Sequence, residues 1–266
     1  MATAEKPGYA VITGASSGIC RELDKQFPQH DFQLIVAAED AGLDEAAQEF
    51  RNLGASVETC RTDLRTPAGV ERLATVIGDR HVDALVLNAG VGINGAFEET
   101  PLDRELEIVD LNCRSVVHLA KRVIPRMIER GHGRVLVTSS IAAVQPGPFE
   151  AVYSASKAFD KAFAAALRDE LKDKGVTVTT MMPGPTDTNF FARADMLDTK
   201  AGSGEGERAE VAQVAAQGFD ALMSGKGEFF AGPLKTKIQG TVSQLLPEGV
   251  AAAAHRGLAE PGTAPK

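Results

Sequence analysis

Tryptophan is absent from this chain of 266 residues, and two tyrosines and twelve phenylalanines bring the aromatic share to only 5%. Aliphatic side chains must therefore fill the core, and the apolar share of 44% is ordinary for a full-sized globular interior. Cysteine is scarce: Cys20, Cys60 and Cys113 are odd in number and unrelated in spacing, which fits neither a disulfide framework nor a zinc pattern. Scattered thiols of this kind suit a reducing cytosol. The five histidines, His30, His81, His118, His132 and His255, are equally dispersed, so no metal site is expected. No basic cluster stands out, and 28 basic residues against 36 acidic ones leave a formal charge of −8. That balance argues against nucleic acid and anionic membranes as partners. No apolar run approaches the ~20 residues that span a bilayer. The opening residues, Met1 to Gly8, lack an apolar signal core, so secretion is not expected and a cytoplasmic location is.

What is present is alternation. Short aliphatic runs at Tyr9–Thr13, Gln33–Ala37, Ser56–Arg61, Ala84–Asn88, Arg134–Ser139 and Val176–Met182 read as strands, with a short seventh at Glu228–Ala231. Between them lie amphipathic stretches at Ile19–Gln29, Leu43–Leu53, Pro67–Ile77, about Leu102–Arg130, and Val152–Lys174. Pro67 suits a first helical turn, and Pro125 is expected to kink the fourth stretch or split off its last turn. This order predicts one α/β domain over residues 1–257. Its parallel sheet of about seven strands has helices on both faces and ligands at the carboxyl ends of the strands. Asp187 to Glu207, with Gly202, Gly204 and Gly206 near its end, reads as a long functional loop. Residues 258–266, with two prolines, read as a flexible tail.

The first strand runs directly into Thr13-Gly14-Ala15-Ser16-Ser17-Gly18-Ile19-Cys20. Small residues between a strand and a helix start let the backbone approach a pyrophosphate, and the opening N–H groups favour negative charge. Further on stand Asn88-Ala89-Gly90, then YSASK at 153–157, and PGPTDT at 183–188. With TGASSGI these four motifs, in this order over about residues 8–232, resemble the short-chain dehydrogenase/reductase family. The resemblance implies a single doubly wound domain of Rossmann type that moves a hydride between a nicotinamide dinucleotide and an alcohol or ketone. One departure is visible. Where the family places the last glycine of its first motif, this chain has Cys20. That glycine permits close packing of helix on strand, and overpacking a site costs typically ~1–3 kcal/mol. The alternative function that follows is a cofactor-binding sensor or scaffold whose catalysis is impaired by Cys20.

Tyr153 and Lys157 are four residues apart on an expected helix, hence on one face, a turn apart. A free tyrosine titrates near ~10, and nearby positive charge favours its phenolate. Taken alone, a pair at this spacing is commonly a surface coincidence. The resemblance makes Tyr153 the general acid/base, and Lys157 the lysine that lowers its pKa and holds the nicotinamide ribose. By the same resemblance Ser140, thirteen residues before the tyrosine, binds the substrate oxygen, in preference to Ser139. Asn112 holds a water of the proton relay. The implied cofactor contacts are Gly14, Ser16, Ser17, Gly18 and Ile19 in the turn, and Glu39 after the second strand. Asp63 and Leu64 sit at the adenine, and Asn88, Ala89 and Gly90 follow the fourth strand. Pro183, Gly184, Thr186 and Thr188 lie near the carboxamide and phosphates. Without the resemblance, Asp63 reads as a helix cap before Pro67, and Thr186 and Thr188 as turn residues.

Glu39 would accept ribose hydroxyls and repel a 2′-phosphate, which points to NAD(H). Arg21 or Arg61 within reach of a phosphate keeps NADP(H) open. Phe190, Phe191, Met196 and Leu197 suggest a lid over a small or medium hydrophobic substrate, with Gln145, Pro146, Phe149 and Val152 as the opposite wall. The resemblance also implies a homodimer or homotetramer built through the two long helices, where Ala162, Ala164, Ala165 and Ala166 would allow close approach.

Overall fold

The computed structural model describes residues 8–204 and 208–264. Glu205, Gly206 and Glu207 of the long loop, the first seven residues and the last two lie outside that range. Seven parallel strands form one sheet: β1 (Tyr9–Thr13), β2 (Gln33–Ala38), β3 (Val57–Arg61), β4 (Val82–Leu87), β5 (Gly133–Thr138), β6 (Val176–Pro183) and β7 (Glu228–Ala231). Their order is β3-β2-β1-β4-β5-β6-β7. The chain leaves β1 towards one edge and, from β4 onward, builds towards the other. A crevice must therefore open at the carboxyl ends of β1 and β4, the switch point of the sheet.

The strands are aliphatic along their length because both faces are covered. Successive side chains alternate between two cores. Ala10 and Ile12 of β1 join Leu34 and Val36 of β2 on one face. That face is covered by α1 (Gly18–Asp24), α2 (Gly42–Asn52) and α8 (Val211–Ser224), which contribute Leu23, Phe50 and Phe219 among others. Val11 and Ile35 point the other way. They meet α3 (Pro67–Ile77), α5 (Ser115–Arg130) and α6 (Ala151–Leu171) through residues such as Leu73, Leu119 and Ala164. Thr66 caps α3 by accepting a hydrogen bond from the Gly69 amide, with Pro67 in the first turn. The cap is thus Thr66, and Asp63 is left for another role.

The expected long helix over residues 102–130 is broken, but not at Pro125. It consists of α4 (Leu102–Ile108), a π-helical segment (Val109–Arg114) and α5, which carries Pro125 inside it. The wider π turn adds a residue to the helix without ending it, a device frequent at functional sites, and Asn112 lies within it.

After β6 come α7 (Phe190–Arg193) and α8, and after β7 come α9 (Leu234–Ser243) and α10 (Glu248–Ala259). The loop after β6 thus contains helix, and Phe191, Ala194 and Met196 form a small core of their own with Phe190 and Ala201 against them. The flexible tail expected from residue 258 is also corrected. Leu258 and Ala259 complete α10, the Ala264 amide bonds the Asp198 carbonyl at 2.8 Å, and the Gly262 amide bonds the Asp198 carboxylate at 3.0 Å. A boundary after 257 would cut a helix. No helix of the described residues is long and apolar enough to cross a membrane.

Candidate active site

The carboxyl end of β1 is tied to that of β4 by Thr13. Its hydroxyl donates to the Val86 carbonyl at 3.2 Å and accepts from the amides of Asn88 and Ala89, each at 3.1 Å. The glycine turn begins at once. Gly14 has φ +79° and Gly18 φ +61°, values that L side chains rarely adopt. A Cβ on Gly14 would come within 3.1 Å of the Ala89 Cα, and one on Gly18 within 3.4 Å of the Thr188 methyl. The turn is thus held open between the loops after β4 and β6. Ser16 donates to Asp40 at 2.7 Å, and the other Asp40 oxygen accepts from the Gly42 amide. Ser17, at the start of α1, makes no side-chain cap hydrogen bond.

Cys20 sits where overpacking was the concern, and it is wholly buried in the core beneath α1. Its Sγ lies 3.2 Å from the Thr13 carbonyl and donates to it. The thiol therefore joins helix to strand instead of wedging them apart, and the turn keeps its two left-handed glycines. Burial, with Asp24 adding, pushes the Cys20 thiol well above its ordinary pKa, so it is no reactive thiolate.

At the other end of the crevice Glu39 and Asp63 both bind Arg65, a residue that sequence reasoning passed over. Arg65 pairs with Glu39, with Asp63 at 2.9 Å and with Glu107 at 3.4 Å. Partial burial works against ionisation of Asp63, but two hydrogen bonds from Arg65 outweigh it and hold the carboxyl below its usual range. The two arginines considered for a phosphate have different surroundings. Arg21 is clamped by Glu45 and Glu49, each at 2.9 Å, and Arg61 turns to the Glu39 carbonyl.

The acid/base end is assembled from β5, α6 and the π segment. Ser140 follows β5 and accepts from the Ala142 amide at 3.1 Å, and its side chain hydrogen-bonds Tyr153. Ser139 donates its hydroxyl to the Lys157 carbonyl at 2.6 Å, so of the two neighbouring serines Ser140 is the one whose side chain meets Tyr153. Tyr153 is 9% exposed and its ring packs 5.2 Å from that of Phe190. Lys157, 5% exposed, donates to the Thr138 carbonyl at 2.9 Å and to Asp160 at 3.1 Å. Burial first, then the negative charge of Glu150, raises the Tyr153 pKa; the Ser140 hydrogen bond opposes this and Asp160 adds to it. Lys157 is not among the groups that move Tyr153 in the polypeptide alone; its ammonium pairs with Asp160.

Asn112 is fully buried. Its amide donates to the Val91 carbonyl at 3.0 Å and to Ser156 at 2.9 Å, and its carbonyl accepts from the Val91 amide at 3.0 Å. Both amide hydrogens are taken, so the side chain is a clamp between the loop after β4 and α6. A Cβ on Gly90 would meet the Asn112 Oδ1 at 3.3 Å and the Lys157 Nζ at 3.4 Å. The three sites thus converge on one spot.

One cavity of about 280 Å³ runs from the glycine turn to Tyr153. Its walls include Gly14, Ser16, Ser17, Gly18, Ile19 and Glu39 at one end, then Asp63, Leu64, Asn88, Ala89 and Gly90. Ser140, Tyr153 and Lys157 stand at the other end, with Pro183, Gly184, Thr186 and Thr188 along one side. Thr186 bonds the Gly184 carbonyl at 2.9 Å and Thr188 accepts from the Phe190 amide at 3.3 Å. Asn112 alone of the expected catalytic and cofactor residues does not line the cavity; it lies behind Gly90. Of the expected lid, Phe190, Phe191 and Met196 reach the cavity, whereas Leu197 is 58% exposed and does not. Of the expected opposite wall only Gln145 lines it, and Val152 packs behind Tyr153 instead. The place given to Pro146 and Phe149 is taken by Ala142, Glu150 and, from α10, His255 and Leu258.

A family model described as short chain dehydrogenase matches residues 8–197. The chain belongs to the short-chain dehydrogenase family. It is 33% identical over 228 residues to 1-deoxy-11-beta-hydroxypentalenate dehydrogenase of Streptomyces exfoliatus, which covers 84% of this chain and 82% of that one. Among solved structures, a short-chain dehydrogenase from Sphingobium yanoikuyae in complex with NADPH superposes with a TM-score of 0.78 at 26% identity, covering 84% of this chain and 87% of that one. A Burkholderia phymatum short-chain dehydrogenase/reductase in complex with NAD shares the fold, with a TM-score of 0.75 at 24% identity over 86% of this chain and 90% of that one. This short-chain dehydrogenase is accordingly an NAD(P)-dependent oxidoreductase. Its own residues fit the dinucleotide. The backbone at Gly14 and Gly90 lies bare where a Cβ would crowd the crevice, and the carboxylates of Glu39 and Asp63 stand at the far end.

Proposed function

We propose that this short-chain dehydrogenase interconverts a small or medium, largely apolar ketone and its alcohol, with Tyr153 as the general acid/base. The observation that carries the reading is the meeting of Ser140, Tyr153 and Lys157 on one cavity continuous with the glycine turn. The nicotinamide, when bound, supplies or accepts the hydride. In the reducing direction the neutral, buried Tyr153 hydroxyl gives its proton to the substrate oxygen, and Ser140 holds that oxygen by a hydrogen bond. In the oxidising direction Tyr153 must first lose its proton, which positive charge brought beside it favours. Lys157 stands one helical turn from Tyr153 and holds the ribose. Asn112 keeps the loop after β4 and α6 in register through Val91 and Ser156. Phe190, Phe191 and Met196 exclude water over the reacting carbon.

NAD(H) is the favoured coenzyme, because Glu39 stands where a 2′-phosphate would come. Arg65 offsets part of that charge, so NADP(H) is accepted less well rather than refused. The sensor or scaffold reading rested on Cys20, and the Sγ bond to Thr13 supports a packed, competent turn. A cytoplasmic homodimer or homotetramer goes with this reading. On α6, Ala164 is buried against the sheet, while Ala162, Ala165, Ala166 and Phe159 are exposed, as are Leu102, Leu106 and Val109 nearby in the chain.

The test is a titration of NADH and NADPH into the protein, followed by nicotinamide fluorescence, with a screen of ketones. Binding in the micromolar range with NADH ahead, and turnover of an apolar ketone, is the expected result. No binding of either coenzyme would overturn it.

A further inference from the structure

His255 comes from α10, more than a hundred residues beyond Glu150 at the start of α6, yet the two are 2.9 Å apart and each is 7% exposed. The Glu150 carboxylate accepts from the imidazole Nε2, which leaves Nδ1 as an acceptor. The Gln145 amide donates to it at 3.1 Å. Gln145, His255 and Glu150 thus form a chain of donors and acceptors in which both ring nitrogens are satisfied. All three line the cavity that holds Tyr153. The second Glu150 oxygen, Oε1, has no hydrogen-bond partner among the described residues.

Burying a carboxylate is costly even where it is paired, because desolvation can exceed the gain from its partner. α10 has other anchors as well. The Leu258 carbonyl already accepts from the Ala201 amide at 3.0 Å, and the Ala259 carbonyl from Asn94 at 2.8 Å. The surrounding wall is apolar, with Ala142, Phe191, Met196 and Leu258, and the other polar side chains on this side, Arg193 and Gln239, are exposed. An apolar pocket with a few placed polar groups is how orientation and specificity are set.

We propose that Glu150, held by His255 and Gln145, is a specificity residue that accepts a hydrogen bond from a second hydroxyl on the substrate, so that the preferred substrate is an apolar hydroxyketone or diol. The inference rests on the oxidoreductase reading above and names its substrate class. A carboxylate acceptor selects a donor, hence a hydroxyl and not a second ketone. A hydrogen bond to a charged group of this kind corresponds to about tenfold to hundredfold in kcat/KM.

The test uses matched cyclic ketones of rising ring size, each with and without one ring hydroxyl, beginning with cyclohexanone and 4-hydroxycyclohexanone. The expected result is a preference of at least about tenfold for one hydroxylated member, falling towards one in Glu150→Ala and reduced in Glu150→Gln. A merely structural role would lower both members of a pair alike and leave the ratio standing. A wild-type protein without any such preference overturns the proposal whatever the variants do, and so does a ratio that survives in Glu150→Ala. If no ketone turns over with either coenzyme, the oxidoreductase reading fails. The Kd ratio of each pair, read by nicotinamide fluorescence, then still decides the hydroxyl preference.

Discussion

Replacing Cys20 by glycine restores the family's pattern in the first motif, and the structure says that this change weakens the protein without improving coenzyme binding. The side chain is wholly buried among Ala10, Ala15 and Leu23, and its Sγ bonds the Thr13 carbonyl. Cys20→Gly removes a buried methylene and sulfur, worth about 1–2 kcal/mol with the cavity left behind. It also adds a glycine to a helix, about 0.3–0.5 kcal/mol, and deletes a weak S–H···O bond of under about 1 kcal/mol. The sum is about 2–3 kcal/mol, which for a chain of this size lowers the melting temperature by about 4–12 °C. Thermal melts by circular dichroism measure it, beside NADH titrations of both proteins. The backbone of Gly14 and Gly18 is set by their own left-handed conformations and by the loops that face them, so the NADH Kd should stay within about twofold. A Cys20→Gly protein that binds NADH several-fold more tightly, or melts no lower than the parent, refutes this account of the turn.

Three further predictions rest on other sites. Arg65→Ala strips Glu39 of its partner and should weaken NADPH binding about tenfold while changing NADH less; equal losses for both would show that Arg65 does not bear on the 2′ position. Burial pushes the Cys113 thiol to about 11, with Asp160 adding to the rise and Lys157 opposing it; at pH 8 its thiolate fraction is about a hundredfold below that of a free thiol near ~8.5. Alkylation of the native protein should therefore be slow at all three cysteines and fast after denaturation, and rapid labelling of the folded chain would contradict the burial argument. Lastly, with no tryptophan and only Tyr9 beside Tyr153, a Tyr9→Phe protein reports Tyr153 alone by tyrosinate absorbance near 295 nm. Because Tyr153 is raised by burial, it should stay protonated beyond pH ~10, where an exposed tyrosine is half ionised. The native state then holds a proton that the unfolded chain has lost, so this group makes stability fall as pH rises above about 10. Half-ionisation at or below pH 10 would contradict it.

The strands and their ends were legible because a parallel sheet covered on both faces leaves uninterrupted aliphatic runs, and because the chemistry sits where those runs stop: Thr13 into Gly14, Leu87 into Asn88, Thr138 into Ser140. The site features that escaped are those made by tertiary contact. A π segment keeps nearly the helical period, so nothing in the text from Val109 to Arg114 marks it, whereas Pro125 looks like a break and is absorbed inside α5. Arg65 reads as one more surface arginine until the ends of β2 and β3 bring Glu39 and Asp63 together. His255 is an isolated histidine in an alanine-rich stretch, and only the return of α10 over the cavity places it against Glu150. The prolines after Leu258 suggest a loose end, yet backbone donors at Gly262 and Ala264 find Asp198 in the loop after β6. The spacing of Tyr153 and Lys157 puts both on α6, but it could not show that they would be buried or that Asp160 would pair with the ammonium.

On the proposed mechanism Tyr153 carries the proton in a coenzyme-dependent reaction at this cavity. The most direct measurement compares wild type with Tyr153→Phe in steady-state reduction of a ketone found by the screen, with coenzyme Kd measured on the same preparations. Loss of the hydroxyl should lower kcat at least about a hundredfold and leave the Kd within about threefold. Turnover that survives the loss of the hydroxyl would contradict it.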